Sequence, residues 1–177
     1  FWYISVALHK MGVVAVPATY MLKPHDIEYR IDAAGLKAAV VTVQTDVADS
    51  FDASRNIDKL ACKFIVGGSR DGWCDFDKEV EEYPEEWERV PTTRSDKFLM
   101  YFTSGTSGNP KMAVHDQSYP LGHTLLAKHW HQVDPEGLHW SVADTGWAKN
   151  AWGKIYGQWI MEAAVFVYEF DRFEPHD

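Results

Sequence analysis

Short apolar runs recur along this chain, and they limit its fold more than any other feature. They are Val13 to Pro17, Ala38 to Val43, Lys63 to Val66, Lys97 to Phe102, Trp140 to Val142 and Ala163 to Tyr168. Such runs are rich in Val, Ala and Phe with little polar alternation, as expected of strands covered on both faces. The segments between them carry helical spacing instead. Phe1, Ile4, Leu8 and Met11 share one face before Gly12. Ile27, Ile31 and Ala34 share another between Lys23-Pro24 and Gly35, and Val47, Phe51 and Ile57 suggest a helix over 46–60. Strand and helix in alternation require crossover helices, which predicts an α/β fold of mostly parallel sheets covered by helices. Met112 to Val114 extends the pattern, followed by a helix whose Leu121, Leu125 and Leu126 are expected to face inward.

A chain of 177 residues with 46% hydrophobic content has enough apolar surface for one sizeable core, so one domain is expected. Its net charge of −9 argues against a nucleic-acid partner, since phosphate backbones are held by clustered Lys and Arg. The apolar opening Phe1 to Leu8 is shorter than the ~20 residues of a membrane span and lacks the marks of a signal peptide, so no membrane span is expected. Cys62 and Cys74 form no zinc or disulfide framework, and a reducing cytoplasmic compartment is the expectation. With no initiator Met and a start inside a helical pattern, the chain reads as an internal piece of a longer protein.

Glu79, Glu81, Glu82, Glu85, Glu86 and Glu88, with Pro84 and Pro91, read as a solvated helix and connector, with Tyr83 and Trp87 tucked against the core. His123, His129, His131 and His139 lack metal-ligand spacing and are read as satisfied or exposed side chains. His115, beside the loop described next, is read as a structural hydrogen-bonding group that could help orient it.

The chemistry concentrates in Thr103-Ser-Gly-Thr-Ser-Gly-Asn-Pro-Lys111. Gly105 and Gly108 allow backbone N–H groups to converge on one cluster of oxygens. Thr103, Ser104, Thr106 and Ser107 add hydroxyl donors, Asn109 and Pro110 close the turn, and Lys111 supplies a charge that can follow a phosphate chain. A plain polar turn would use similar residues, but hydroxyls, glycines and a lysine between apolar runs favour a polyphosphate cradle. A Walker loop is excluded because two residues separate Gly105 from Gly108 and Asn-Pro precedes Lys111. Neither a G-x-G-x-x-G turn nor a G-x-S-x-G elbow is present. The loop follows a strand at its carboxyl end, where open α/β sheets bind ligands.

These nine residues resemble the signature loop of the adenylate-forming (AMP-binding) superfamily. The stretch Ala143-Asp-Thr-Gly-Trp-Ala-Lys-Asn-Ala-Trp-Gly153, with Gln158-Trp159 and Ala163 to Val167, resembles its medium-chain acyl-CoA synthetase branch. The resemblance implies that the 177 residues are a partial N-terminal (AMP-binding) domain, without its start, its later motifs or the C-terminal domain. Tyr156-Gly157 is followed by Gln158-Trp159, not the family's adenine- and metal-reaching Thr-Glu motif, and Thr145-Gly146 is followed by Trp147, not by a ribose-binding aspartate.

The implied activity is AMP-forming acid–CoA ligation, in which a carboxylate becomes an acyl-adenylate and then a thioester. Its co-substrates and cofactor would be ATP, CoA and Mg²⁺, and its substrate a small carboxylic acid, a medium-chain fatty acid by branch. No catalytic residue is carried over, because the adenylation lysine lies in the absent domain. On the same resemblance Thr103 to Lys111 hold the β- and γ-phosphates and Trp147 stands at the mouth of the acyl pocket. The residues alone read the Asp144 segment as a tight turn, with Trp147, Trp152 and Trp159 as packing aromatics. Two alternatives stay open: a non-catalytic nucleotide-binding or interaction module, and an adenylating enzyme for amino or aryl acids.

Overall fold

The computed structural model describes residues 1–104 and 108–168. They form two compact units. One comprises Ala18–Val90 with the described residues of Ser104–Met112, and the other Phe1–Pro17, Pro91–Thr103 and the described residues from Ala113 onward.

The first unit is built on a parallel sheet, β1 (Ala38–Thr42), β2 (Cys62–Val66) and β3 (Cys74–Asp75), with Ala38 opposite Cys62 and Phe64 opposite Cys74. Helix α2 (Pro24–Ala34) starts at Pro24, where the Asp26 carboxylate accepts the Lys23 N–H at 3.0 Å, and ends on the left-handed Gly35. Its Ile27 and Ile31 are buried with Phe51, Leu60, Ile65 and Trp73.

The helix expected over 46–60 is shorter. Helix α3 (Val47–Asp52) gives way to a 3₁₀ turn at Ile57–Lys59. The intervening polar groups bond outward: Ser54 Oγ donates to Pro24 O at 3.3 Å, while Asn56 Nδ2 donates to Glu28 O at 3.0 Å and Asp32 Oδ1 at 2.8 Å. These bonds to α2 hold the chain off the helical path. After β3, helix α4 (Phe76–Glu82) is solvated as expected, but Tyr83 and Trp87 are exposed rather than tucked in. Trp73 takes the core position, its indole N–H donating to Asp52 Oδ1 at 2.9 Å.

In the second unit, α1 (Trp2–Lys10) leads to Ala15, whose N–H bonds Phe98 O at 3.1 Å and whose carbonyl accepts the Met100 N–H at 2.9 Å. This single parallel bridge to Leu99 is all that forms of the strand expected from Val13, because Pro17 has no N–H to extend it. Strands β4 (Lys97–Thr103) and β5 (Lys111–Asp116) pair as consecutive strands. The Gln117 N–H bonds Asp96 O at 3.0 Å, which sets the end of β5 beside the start of β4 and makes this pair antiparallel, an exception to the parallel pairing elsewhere.

Helix α5 (Tyr119–Gly122) is followed by a π turn at Leu126–Trp130. Leu121, Leu125 and Leu126 are exposed, contrary to expectation, and it is His123 and Ala127, one α turn apart with the Ala127 N–H on His123 O at 2.8 Å, that face inward. Strand β6 (Leu138–His139) precedes the expected Trp140 and pairs in parallel with β7 (Ala164–Val165). Between them, α6 (Ala148–Asn150), a second π turn (Ala151–Ile155) and α7 (Tyr156–Ile160) pack Ala151, Ile155 and Tyr156 against Phe98, Leu99 and Tyr101 of β4.

Candidate functional site

Phe98, Leu99, Met100 and Tyr101 are buried in succession, so β4 is fixed over most of its length before it releases the chain at Thr103. The residues that follow are turned toward solvent. Thr103, Ser104, Gly108, Asn109 and Lys111 are exposed and Pro110 is half-buried, while Gly105, Thr106 and Ser107 lie outside the described residues. Their exposure makes them accessible from solvent, as an anion site requires.

Gly108 has φ +92°, and a Cβ there would meet nothing within 4 Å. Its requirement is therefore for left-handed backbone, not for space. The next turn is tied down from α2, where the Tyr29 hydroxyl donates to the Pro110 carbonyl at 2.9 Å across 81 positions of sequence. Tyr29 was not legible as part of this site. It sits among charged residues on a surface helix, and only the folded chain brings it to the loop.

Trp147 belongs to the other unit. Asp144 Oδ1 accepts the Gly146 N–H at 2.8 Å and Asp144 O accepts the Trp147 N–H at 3.1 Å, so Asp144 is the turn residue its sequence context predicts. Trp147 itself is not the core aromatic that packing would make it: its residue surface is 66% exposed. Trp152 instead stacks on His131 with ring centroids 5.8 Å apart, and Trp159 meets Trp2 at 5.7 Å.

Beneath β4 lies a layer of aromatic and imidazole rings. His9 stacks on Phe98 at 3.9 Å and hydrogen-bonds the Tyr156 hydroxyl at 2.8 Å, and burial lowers its pKa to about 4, which keeps it neutral at pH 7. Burial likewise raises the phenols of Tyr101 and Tyr156 above their usual range. His115 packs on Tyr119 at 4.0 Å and His123 meets the same ring at 4.4 Å; burial lowers both imidazoles. This layer supports the strand. Among the described residues no three His, Cys, Asp or Glu side chains gather as a metal site would require.

Helices and short, mostly parallel strands, with a glycine- and hydroxyl-rich stretch leaving the carboxyl end of buried β4, place the chain in the α/β class. The chain belongs to the AMP-binding enzyme family, which it matches over residues 1–176. It is 35% identical over 176 residues to acyl-coenzyme A synthetase ACSM4, mitochondrial, of Rattus norvegicus, covering 98% of this chain and 30% of that protein. It is 34% identical over 178 residues to acyl-coenzyme A synthetase ACSM3, mitochondrial, of Homo sapiens, with 99% and 30% covered. The chain thus spans about 30% of the length of the curated relatives it matches. The fold is shared with the anthranilate CoA ligase AuaEII, solved with anthranoyl-AMP, at a TM-score of 0.84 and 22% identity, over 92% of this chain and 32% of that one. An acyl-CoA synthetase of Brucella canis has a TM-score of 0.80 at 21% identity, over 90% and 29%.

Proposed function

We propose that this chain is the phosphate-holding portion of an AMP-forming acyl-CoA synthetase. The observation that carries the reading is the loop beginning at Thr103: its described donors are exposed where a buried strand ends. The backbone N–H groups and hydroxyls of Thr103 to Lys111 would hold the β- and γ-phosphates of ATP, and the Lys111 ammonium would offset their charge. Magnesium would enter with the triphosphate, screening charge that this chain's single loop lysine leaves over. Such chemistry asks the protein for positioning and charge neutralisation more than for a nucleophile, in keeping with a loop rich in donors.

Exposed Trp147 is proposed to border the acid, a medium-chain fatty acid on the family branch, with CoA as acceptor. Adenylation and thioester formation are proposed for a protein of the relatives' length, and triphosphate binding without turnover for the 177 residues alone. The sequence-based expectation of a cytoplasmic compartment stays a proposal. The relatives named above are called mitochondrial, and fractionation of cells expressing the tagged native protein separates the two.

Calorimetry of the chain with MgATP and with AMP tests the phosphate reading. Triphosphate-selective binding supports it, and equal or absent binding sinks it. Pyrophosphate exchange with a panel of fatty, aryl and amino acids tests the rest: turnover by the isolated chain overturns its proposed inactivity, and the acid that drives exchange in the longer protein identifies the substrate class.

A further inference from the structure

Helix α2 is braced on two sides before it reaches the loop. Its Ile27 and Ile31 face the core, while Glu28 holds Arg55 at 2.6 Å and Asp32 holds Lys59 at 2.7 Å along one flank. Tyr29 lies about 200° around the helix from Ile27, on the side turned away from the core. A tyrosine there would ordinarily be exposed, yet it is half-buried, and its hydroxyl reaches the Pro110 carbonyl at 2.9 Å. The bond lands two residues after Gly108, the left-handed position, and one before Lys111.

We propose that Tyr29 is a positioning residue for triphosphate binding: it pins the leg from Gly108 to Lys111 to a rigid helix, so that the loop's exit amides and the lysine are held in one arrangement before nucleotide arrives. The inference rests on the phosphate reading of the loop and adds to it a residue that touches no phosphate. Without the pin, the Pro110 carbonyl finds water and the leg samples several arrangements, each with fewer donors converged. Binding energy would then be spent on ordering.

The test is Tyr29→Phe in the 177-residue chain, with Ile27→Val as a control that weakens the seat of α2 without touching the loop. Calorimetry with MgATP and AMP is combined with amide hydrogen exchange at Gly108, Asn109 and Lys111. Loss of one neutral hydrogen bond predicts MgATP binding weaker by about three- to tenfold, AMP binding within about twofold, and faster exchange at the three amides. Ile27→Val should lower the melting temperature and leave the MgATP-to-AMP ratio unchanged. A wild-type chain that discriminates between the nucleotides, with Tyr29→Phe indistinguishable from it, overturns this inference and leaves the phosphate reading standing. A wild-type chain with no preference for triphosphate removes that reading and the role of Tyr29 with it, whatever the exchange rates show. Equal loss of selectivity in both variants would make Tyr29 a general support of α2, and would also overturn the proposal.

Discussion

Substituting Gly157 tests the packing of α7 against the stretch from His123 to Ala127. In an ordinary helix Gly→Ala gains about 1 kcal/mol from propensity, and on that ground alone Gly157→Ala should stabilise. The structure argues the opposite. A Cβ at this position would lie 2.9 Å from Ala127 Cβ and 3.3 Å from His123 O. Carbon contacts are ordinarily ~3.5–4.0 Å, and neither neighbour can swing away. Ala127 is fully buried, and the His123 carbonyl already accepts the Ala127 N–H at 2.8 Å. Overpacking of a fixed site costs about 1–3 kcal/mol, so the net expectation is destabilisation of about 1 kcal/mol, or about 2–4 °C in melting temperature. Ala127→Gly removes the opposing carbon. In that background Gly157→Ala should become neutral or stabilising, with a coupling of about 1 kcal/mol between the sites. Denaturant unfolding of the four proteins followed by circular dichroism measures the cycle. A stabilised single variant, or a cycle additive within about 0.3 kcal/mol, would refute the claim that these helices are in backbone-limited contact.

The remaining predictions address pH, the loop and the acid. Folding should weaken as pH falls from about 6.5 to about 4, because His9 stays neutral in the folded chain while the unfolded chain takes up the proton. At about 1.4 kcal/mol per pKa unit the ceiling is about 3 kcal/mol, which partial exposure brings nearer 1–2, and urea unfolding of His9→Phe should show a shallower slope across that window. Gly108→Ala should weaken MgATP binding by about five- to twentyfold, because the exposed turn gives up φ +92° rather than hold a strained alanine there, and the same relaxation should leave the melting temperature little changed. Trp147→Ala should leave stability nearly unchanged at an exposed site, and should weaken a non-hydrolysable medium-chain acyl-adenylate analogue about tenfold in calorimetry while sparing AMP.

What the sequence conveyed about this fold follows the range of the interactions involved. Gly35 ends α2 and Asp144 makes its turn through bonds to near neighbours, so both were legible. The parallel sheet was legible as well, since β1 and β2 lie in short, mostly apolar runs separated by helical spacing. The helix over 46–60 failed because bonds from Asn56 and Arg55 to α2 are formed about 25 residues away, where no local propensity can register them. Leu121 and Leu125 were misplaced because the inward face belongs to His123 and Ala127, where the chain packs too closely on Gly157 for large apolar side chains, and apolar periodicity picks out the leucines instead. At the site the donors were readable and their anchor was not. The phosphate reading of Gly108 and Lys111 comes from composition and stays a proposal, whereas Tyr29 declares itself only through a contact spanning 81 positions.

The triphosphate site proposed for this acidic chain would have to work at short range. With a net charge of −9 the chain's distant field repels the ligand, and at physiological salt that field fades over about 8 Å. Within the loop's own unit part of the negative charge is also occupied: Glu28 by Arg55, which lowers its pKa to about 2, Asp32 by Lys59, and Asp49 and Asp52 by Arg70. What remains to attract phosphate is the set of N–H and O–H donors within a few ångströms of it, with one lysine. Hydrogen bonds are far more sensitive to position than a diffuse charge, losing most of their strength when misaligned. A site built from donors thus depends on how well its backbone is held, which gives a tie such as that from Tyr29 to Pro110 a consequence for binding that it would lack in a loop working by charge alone.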